Sequence, residues 1–226
     1  MKVICFDLDD TLNKEIDYLK SAYKEIAQYA AAPCKGCSMR EDVLAQKAYE
    51  AMLDAYHKGE NAFEALNAFL GLQNPVREYL NIYRNHNPSI ALSDEVENTL
   101  SALKEKGYVL GMITDGRSVQ QRSKINALQL NRFFEADNVI ISEEFGSEKP
   151  CEKNYRYFMD KYPKAEFSYV GDNPKKDFVG ANALGWQTVC LLNDGRNIHK
   201  QEFEMYGEEY QPKLKISILS ELLNLI

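Results

Sequence analysis

The sequence ICFDLDDTL, residues 4–12, decides the fold because it places two acids at the end of a short apolar run. Val3 to Phe6 predict a buried strand. Residues two apart in an extended chain point to the same side, so Asp7 and Asp9 are expected to face one small space. Crowded carboxylates repel each other unless a cation or a proton separates them, and such a pair can divide nucleophilic attack from proton transfer. Asp is also common in ordinary turns, so support must come from elsewhere in the chain.

A later apolar run and a Lys-Pro pair also offer groups that can bind an anion. The run Tyr108 to Ile113 is followed by Thr114, Asp115 and Gly116, where a hydroxyl and turn N–H groups can donate to a phosphate oxygen. Downstream, Lys149 precedes Pro150, and proline keeps the residue before it extended, which fixes how the ammonium group is presented. Taken singly, a Thr turn and a Lys-Pro loop are ordinary surface features.

The fourth segment is GDNPKKD, residues 171–177, which follows a strand predicted over Phe167 to Val170. Asn173 is predicted as a helix N-cap and Pro174 as the first helical residue. Asp172 then lies at the strand tip and Asp177 one turn into the helix. Paired carboxylates of this kind suit Mg²⁺, which binds one or two carboxylates and keeps several waters.

In this order and spacing, the four segments resemble the four motifs of the haloacid dehalogenase-like (HAD) hydrolase superfamily. The resemblance covers nearly the whole chain and implies Mg²⁺-dependent phosphoryl transfer. It implies that Asp7 is the nucleophile that becomes an aspartyl phosphate, and that Asp9 is first the general acid and then the general base. Thr114 and Lys149 would bind the phosphoryl oxygens.

The same resemblance implies the metal ligands and the neighbourhood of the substrate. Asp7, Asp172 and the backbone carbonyl of Asp9 would bind Mg²⁺, with Asp177 either a ligand or a partner of the ligands. The substrate-binding residues are predicted to be these: Thr114, Asp115, Gly116, Arg117, Lys149 and Asn173.

The predicted elements give an α/β fold, a Rossmann-like parallel sheet flanked by helices, with an inserted α-helical domain. Strands and helices alternate from Ser93 onward, as in parallel sheets. Residues 1–13 and 89–226 form the predicted catalytic core. Residues 14–88 show apolar residues at helical spacing, which predicts helices over 15–32, 39–56, 62–70 and 76–83. By the resemblance this insert is a cap that selects the substrate.

Composition excludes some partners and favours one compartment. The net charge of −7 argues against nucleic acid and membrane surfaces, and the short pairs Lys175/Lys176 and Lys213/Lys215 are typical of solvated surface. The cytoplasm is favoured by the odd number of cysteines, five, and by the absence of a signal peptide or a long apolar segment. The protein is expected to be a monomer or a homodimer. Cys34 and Cys37 are expected to lie in a loop rather than to bind metal, since no second CxxC exists.

The chemistry implied by the resemblance favours a phosphatase of small phosphorylated metabolites, such as a sugar phosphate or a nucleoside monophosphate. Asp9 disfavours a dehalogenase, which has no leaving alkoxide to protonate. A sugar phosphomutase, which shares every motif, and a non-catalytic module that binds phosphorylated metabolites are the alternatives. The histidines (His57, His86 and His199) are expected to be ordinary surface or packing residues.

Overall fold

The computed structural model describes residues 1–32 and 40–225, so Cys34 and Cys37 lie outside the described residues. The chain divides into two compact units, Met1–Ile16 with Ala91–Ile226, and Asp17–Ile90. Among the described residues, no helix combines the length and the apolar character needed to cross a membrane.

The strands of the first unit are β1 (Lys2–Phe6), β2 (Val109–Thr114), β3 (Val139–Ile141), β4 (Glu166–Gly171), β5 (Gln187–Leu191) and β6 (Leu214–Ile216). The helices, in chain order, are α1 (Glu15–Ala31), α2 (Glu41–His57), α3 (Ala62–Leu70), α4 (Val76–Asn85), α5 (Asp94–Glu105), α6 (Ser118–Ala127), α7 (Ser142–Phe145), α8 (Glu152–Lys161), α9 (Val179–Ala183) and α10 (Leu222–Leu225).

The six strands form one parallel sheet in the order β3-β2-β1-β4-β5-β6. The predicted α/β fold with a parallel sheet is therefore confirmed. β1 is central because its residues, Val3 to Phe6, are apolar and fully buried, as a strand covered on both faces requires. From β1 the chain builds one half of the sheet through β2 and β3, and the other half through β4 to β6.

The core of the first unit is aromatic on the side where α8 and α9 lie. Tyr155, Phe158, Tyr169 and Trp186 are buried there in one apolar cluster that also contains the thiols of Cys5 and Cys190. Both cysteines are free, as their apolar surroundings predict. This packing fixes β1 and β4 side by side, and both strands lead directly into motif residues.

The second unit contains α2, α3, α4 and most of α1. Asn61 caps α3 by accepting from the backbone N–H groups of Phe63 and Glu64. Tyr79 of α4 is fully buried, and its hydroxyl donates to Asn67 Oδ1 at 2.7 Å and accepts from Asn74 Nδ2 at 3.1 Å. The unit therefore joins α3 and α4 through neutral hydrogen bonds as well as apolar packing.

One local prediction is wrong. Residues 173–178 form turns, and α9 begins only at Val179, so Asn173 is not a helix N-cap and Pro174 is not a helical residue. Asn173 instead organises the turn, since its Oδ1 accepts from the Lys175 N–H and its carbonyl from the Asp177 N–H.

Candidate active site

The motif residues of the first unit meet at the carboxyl edge of the sheet. Asp7 follows β1, Thr114 ends β2, and Asp172 follows β4, the two strands that flank β1. The chain order reverses across β1, which is where parallel sheets open a crevice for ligands. Asp7 is almost fully buried at the floor of this crevice.

Lys149 binds two buried acids, Asp7 and Asp177, at once. Its ammonium nitrogen lies 2.8 Å from Asp7 Oδ1, 2.8 Å from Asp177 Oδ1 and 3.0 Å from the Tyr169 hydroxyl. The side chains of Lys149 and Asp177 are completely buried, so each charge depends on the other for compensation. The Lys149–Pro150 peptide bond is cis. The contacts with Asp7, Asp177 and Tyr169 hold the Lys149 ammonium group beside Asp7.

Asp177 is fixed by donors on both of its oxygens. While Oδ1 binds Lys149, Oδ2 accepts from the N–H of Asp172 at 3.1 Å and from that of Asn173 at 2.8 Å. Gly171 makes this possible, because a Cβ there would lie 2.5 Å from Asp177 Oδ2. With these contacts, Asp177 holds the turn that carries Asp172 and orients Lys149.

Three carboxylates are packed closely enough to share one cation. Asp7, Asp172 and Asp177 each offer an oxygen, and these oxygens lie within 4.8 Å of one another. Burial, together with the charges of Asp177 and Asp7, raises the pKa of Asp172 to about 9, and burial raises that of Asp7 to about 6 despite Lys149. Lys149 therefore compensates the cluster incompletely. An all-oxygen donor set with excess negative charge fits a hard divalent cation such as Mg²⁺.

Asp9 faces a different set of partners, provided by α6. Lys124 Nζ lies 2.6 Å from Asp9 Oδ1, and Gln121 Nε2 donates to Asp9 Oδ2 at 2.9 Å. Gln121 also donates to Thr114 Oγ1 at 2.6 Å. Sequence reasoning overlooked both α6 residues, because a Gln and a Lys three positions apart are typical of a solvated helix face.

The turn after β2 is held by contacts within the protein. The Asp115 carboxylate accepts from the Lys149 N–H and binds Lys176 Nζ at 3.1 Å. The Gly116 N–H donates to Ser142 Oγ at 3.0 Å. Asp115 thus positions lysines, and the Gly116 N–H, which was predicted to bind substrate, has a partner within the protein.

These residues surround a cavity of about 190 Å³ that is large enough for a phosphoryl group. Its lining residues are Asp7, Asp9, Asp10, Glu15, Thr114, Asp115, Asp172, Asn173, Lys176 and His199. Asp7 and Asp9 therefore do face one small space. Among the predicted substrate contacts, Thr114, Asp115 and Asn173 line the cavity. The other three are not among its lining residues: Lys149 has a fully buried side chain, and Gly116 and Arg117 are exposed.

The expectation that Lys176 is solvated surface is wrong, whereas His199 is exposed, as expected. Lys176 is half-buried and is the only lysine or arginine among the described residues that line the cavity, while its neighbour Lys175 is exposed, as predicted. His199 also lines the cavity. It belongs to the loop after β5, which reaches the site through Asn197, whose amide donates to Asp172 Oδ2 at 2.9 Å. The position of that loop after a strand was a usable signal, since such loops gather at the carboxyl edge.

Asp10 lies in the loop after β1, lines the cavity and holds neighbouring backbone in place. It has a φ of 57°, in the left-handed region that Asp tolerates better than most residues. Its carboxylate accepts from the N–H groups of Glu15 and Ile198, at 3.0 and 2.9 Å. Burial and the charge of Asp9 raise the pKa of Glu15 to about 7. Acidic side chains make up most of the residues that line the cavity.

Comparison with known proteins agrees with this geometry. The sequence model of the family described as haloacid dehalogenase-like hydrolase matches residues 4–191. A glyceraldehyde 3-phosphate phosphatase from Methanocaldococcus jannaschii is 32% identical over 232 residues, with 100% of this chain and 97% of that protein covered. A phosphoserine phosphatase from Thermus thermophilus is 25% identical over 253 residues, with 98% of each covered.

A solved structure shows the same fold. The crystal structure of a HAD phosphatase from Thermococcus onnurineus matches with a TM-score of 0.59 at 20% identity, covering 100% of this chain and 97% of that one. Relatives named phosphatases match the full length of this chain, which is a phosphate monoester hydrolase. With a family match over residues 4–191, the chain belongs to the haloacid dehalogenase-like hydrolases.

Proposed function

We propose that the chain hydrolyses its phosphate monoester through an aspartyl phosphate formed on Asp7, with Mg²⁺ as cofactor. The observation that carries this proposal is the state of the Asp7 carboxylate. Its Oδ1 accepts from Lys149 Nζ and from the Leu8 N–H, both at 2.8 Å, while Oδ2 accepts no hydrogen bond from the residues that the structure describes. A buried carboxylate oriented through one oxygen leaves the other available for attack.

The proposed reaction has two in-line displacements at phosphorus. In the first, an Asp7 oxygen forms a bond to phosphorus as the bond to the leaving oxygen breaks, and the Asp9 carboxyl group gives that oxygen its proton. In the second, the Asp9 carboxylate takes a proton from water as the water oxygen bonds to phosphorus and the Asp7–phosphate bond breaks. Asp9 thereby regains its proton and Asp7 its carboxylate.

Positive charge close to Asp7 and in the cavity supports attack by an anion on an anion. Lys149 lies against Asp7, and Lys176 lines the same cavity. Asp7, Asp172 and the backbone carbonyl of Asp9 would hold Mg²⁺, and the donors on Asp177 support its role as a partner of these ligands. When bound, the cation supplies neutralisation of the charge that builds up on the phosphoryl oxygens.

The proposed substrate is a sugar phosphate, and the supporting observation is the name of the Methanocaldococcus relative, a phosphatase of a three-carbon sugar phosphate. By the family resemblance, residues 14–88 form a cap that selects the leaving group. The free cysteines among the described residues, Cys5, Cys151 and Cys190, support a reducing compartment, the cytoplasm.

Phosphate release from a panel of phosphorylated metabolites tests the proposal. The panel contains glyceraldehyde 3-phosphate, phosphoserine, sugar phosphates and nucleoside monophosphates, each assayed with added Mg²⁺ and with a chelator. We expect release that requires Mg²⁺, and a phosphorylated Asp7 that acid quenching traps and peptide mapping locates. Release that persists fully in chelator, or phosphate trapped on another residue, would contradict the proposal. Isomerised sugar phosphate without net release would favour a phosphomutase.

A further inference from the structure

The contacts of Gln121 and Lys124 suggest a role beyond packing. Both side chains are almost completely buried on α6, three residues apart, so they project from the same face of the helix. A buried ammonium group and a buried amide must have polar partners to offset their lost hydration. Both side chains find one in the Asp9 carboxyl group.

The two donors fix the plane of that carboxyl group. Lys124 Nζ lies 2.6 Å from Oδ1, while Gln121 Nε2 lies 2.9 Å from Oδ2. A carboxylate held through one oxygen can still rotate about its Cβ–Cγ bond, but one held through both oxygens cannot. Each carboxylate oxygen has two lone-pair positions, so these contacts leave positions for the proton that Asp9 transfers.

Gln121 also connects Asp9 to Thr114, the residue that ends β2. Its amide nitrogen carries two hydrogens, which match the two acceptors, Asp9 Oδ2 and Thr114 Oγ1. Because Thr114 Oγ1 accepts from Gln121, its own hydrogen is directed elsewhere, available for a phosphoryl oxygen. Gly116 leaves room for this arrangement, since a Cβ there would lie 3.2 Å from Gln121 Cγ and Cδ.

We propose that Gln121 and Lys124 are positioning residues that orient Asp9 for proton transfer to the leaving oxygen. The inference rests on the proposed function, in which Asp9 protonates the oxygen that departs from phosphorus. It predicts a defect that depends on the leaving group. A poor leaving group such as an alkoxide needs the proton, whereas p-nitrophenolate departs without it.

The experiment compares kcat/KM for two substrates in each variant. One is the alkyl phosphate that the panel ranks highest, with glyceraldehyde 3-phosphate as the first choice, and the other is p-nitrophenyl phosphate. The ratio of alkyl to aryl kcat/KM does not depend on the fraction of folded enzyme. It also cancels any change in phosphate binding through Thr114, because both substrates carry the same phosphoryl group.

We expect the ratio to fall about 10-fold or more in Gln121→Leu and in Lys124→Met. Gln120→Leu, one position away on α6, is the matched control and should keep the wild-type ratio. Asp9→Ala removes the acid itself and should lower the ratio by about 10²- to 10⁴-fold, the largest change expected. In the Asp9→Ala background the two α6 substitutions should lower the ratio no further, because the residue they orient is gone.

Two outcomes separate the inference from the function on which it rests. If Asp9→Ala lowers the ratio but Gln121→Leu and Lys124→Met lower both kcat/KM values in parallel, the α6 residues only stabilise the fold and the inference is wrong. If Asp9→Ala itself leaves the ratio unchanged, Asp9 is not the acid, and the proposed function fails together with the inference.

Discussion

Each unit of the protein contains a buried polar cluster, and the two clusters differ in how well their charges balance. In the first unit, three carboxylates, those of Asp7, Asp172 and Asp177, lie within 4.8 Å of one another with Lys149 as the buried cation. In the second unit, Tyr79 is joined to Asn67 and Asn74 by neutral hydrogen bonds. The first cluster is left with excess negative charge, and the second needs nothing more.

This difference separates a functional cluster from a structural one. Buried polar groups that satisfy each other stabilise a fold, whereas buried like charges destabilise it unless a ligand binds. The raised pKa values of Asp7 and Asp172 express that cost in the first unit. Substitutions in the first cluster should therefore change catalysis and the response to metal, and those in the second should change stability alone.

The largest effect is expected for Asp7→Asn. Because an amide oxygen is a far poorer nucleophile than a carboxylate, kcat should fall by at least about 10⁴-fold. Steady-state phosphate release on the best substrate measures this loss. Asp137→Asn, an exposed acid of the same unit, is the matched control and should keep wild-type kcat. Residual activity within tenfold of wild type would place the nucleophile elsewhere.

Lys149→Met should damage both stability and turnover. It leaves Asp7 and Asp177 buried without their cation, and breaking a buried ion pair from one side costs about 3–5 kcal/mol. For a chain of this length, we expect Tm to fall by roughly 10 °C. Thermal melts followed by circular dichroism test this, with the exposed Lys175→Met as control. Equal Tm values for the two variants would show that the cluster does not need Lys149.

A smaller effect of opposite sign is expected for Asp172→Asn. Burial and the neighbouring acids raise the pKa of Asp172 to about 9 in the folded protein. The folded state therefore binds this proton more tightly than the unfolded state, so the stability that the proton provides is lost as the pH rises from about 4 to about 9. At pH 8 in chelator, Asp172→Asn should raise Tm by about 2–4 °C, equivalent to about 1 kcal/mol.

With Mg²⁺ present, the wild type should have a higher Tm than Asp172→Asn. Under the proposed function, the cation would bind the folded wild type through Asp172 and stabilise it, whereas the variant lacks that carboxylate and should respond weakly. Melts at pH 5 and pH 8, each with and without Mg²⁺, give the four values required. In chelator, the wild type should lose stability relative to Asp172→Asn between pH 5 and pH 8. A wild type that instead gains stability relative to the variant over this range would contradict the proposed cost of the Asp172 charge.

The sequence allows the first cluster to be predicted far better than its surroundings. Asp7, Thr114 and Asp172 each follow an apolar strand, and parallel strands end at one edge, so spacing alone brings them together. The partners of Asp9 lie on a helix whose buried face is polar, and no hydrophobic period marks such a face. Lys176 lines the cavity from residues 173–178, which form turns where a helix was predicted.

The partners of a polar network are also hidden from the sequence. The helices α3 and α4 follow from apolar spacing, but nothing in the spacing shows that Tyr79 would contact Asn67 and Asn74. Such contacts depend on how two helices pack, which is decided by tertiary structure. The contacts of the second cluster are therefore the ones that the sequence predicts least well.

The smallest effect is expected for Tyr79→Phe in the second unit. Removing the hydroxyl leaves Asn67 Oδ1 and Asn74 Nδ2 without that partner, at a cost of about 1 kcal/mol, which lowers Tm by about 2–4 °C. The fall should be the same at pH 5 and pH 8 and with or without Mg²⁺, because the bonds to Asn67 and Asn74 join neutral groups, and kcat should not change. Tyr29→Phe, on the exposed face of α1, should leave Tm unaltered. A Tyr79→Phe variant whose Tm loss varied with Mg²⁺ would show that the second cluster is coupled to the metal site, and the distinction between a structural and a functional cluster would no longer hold.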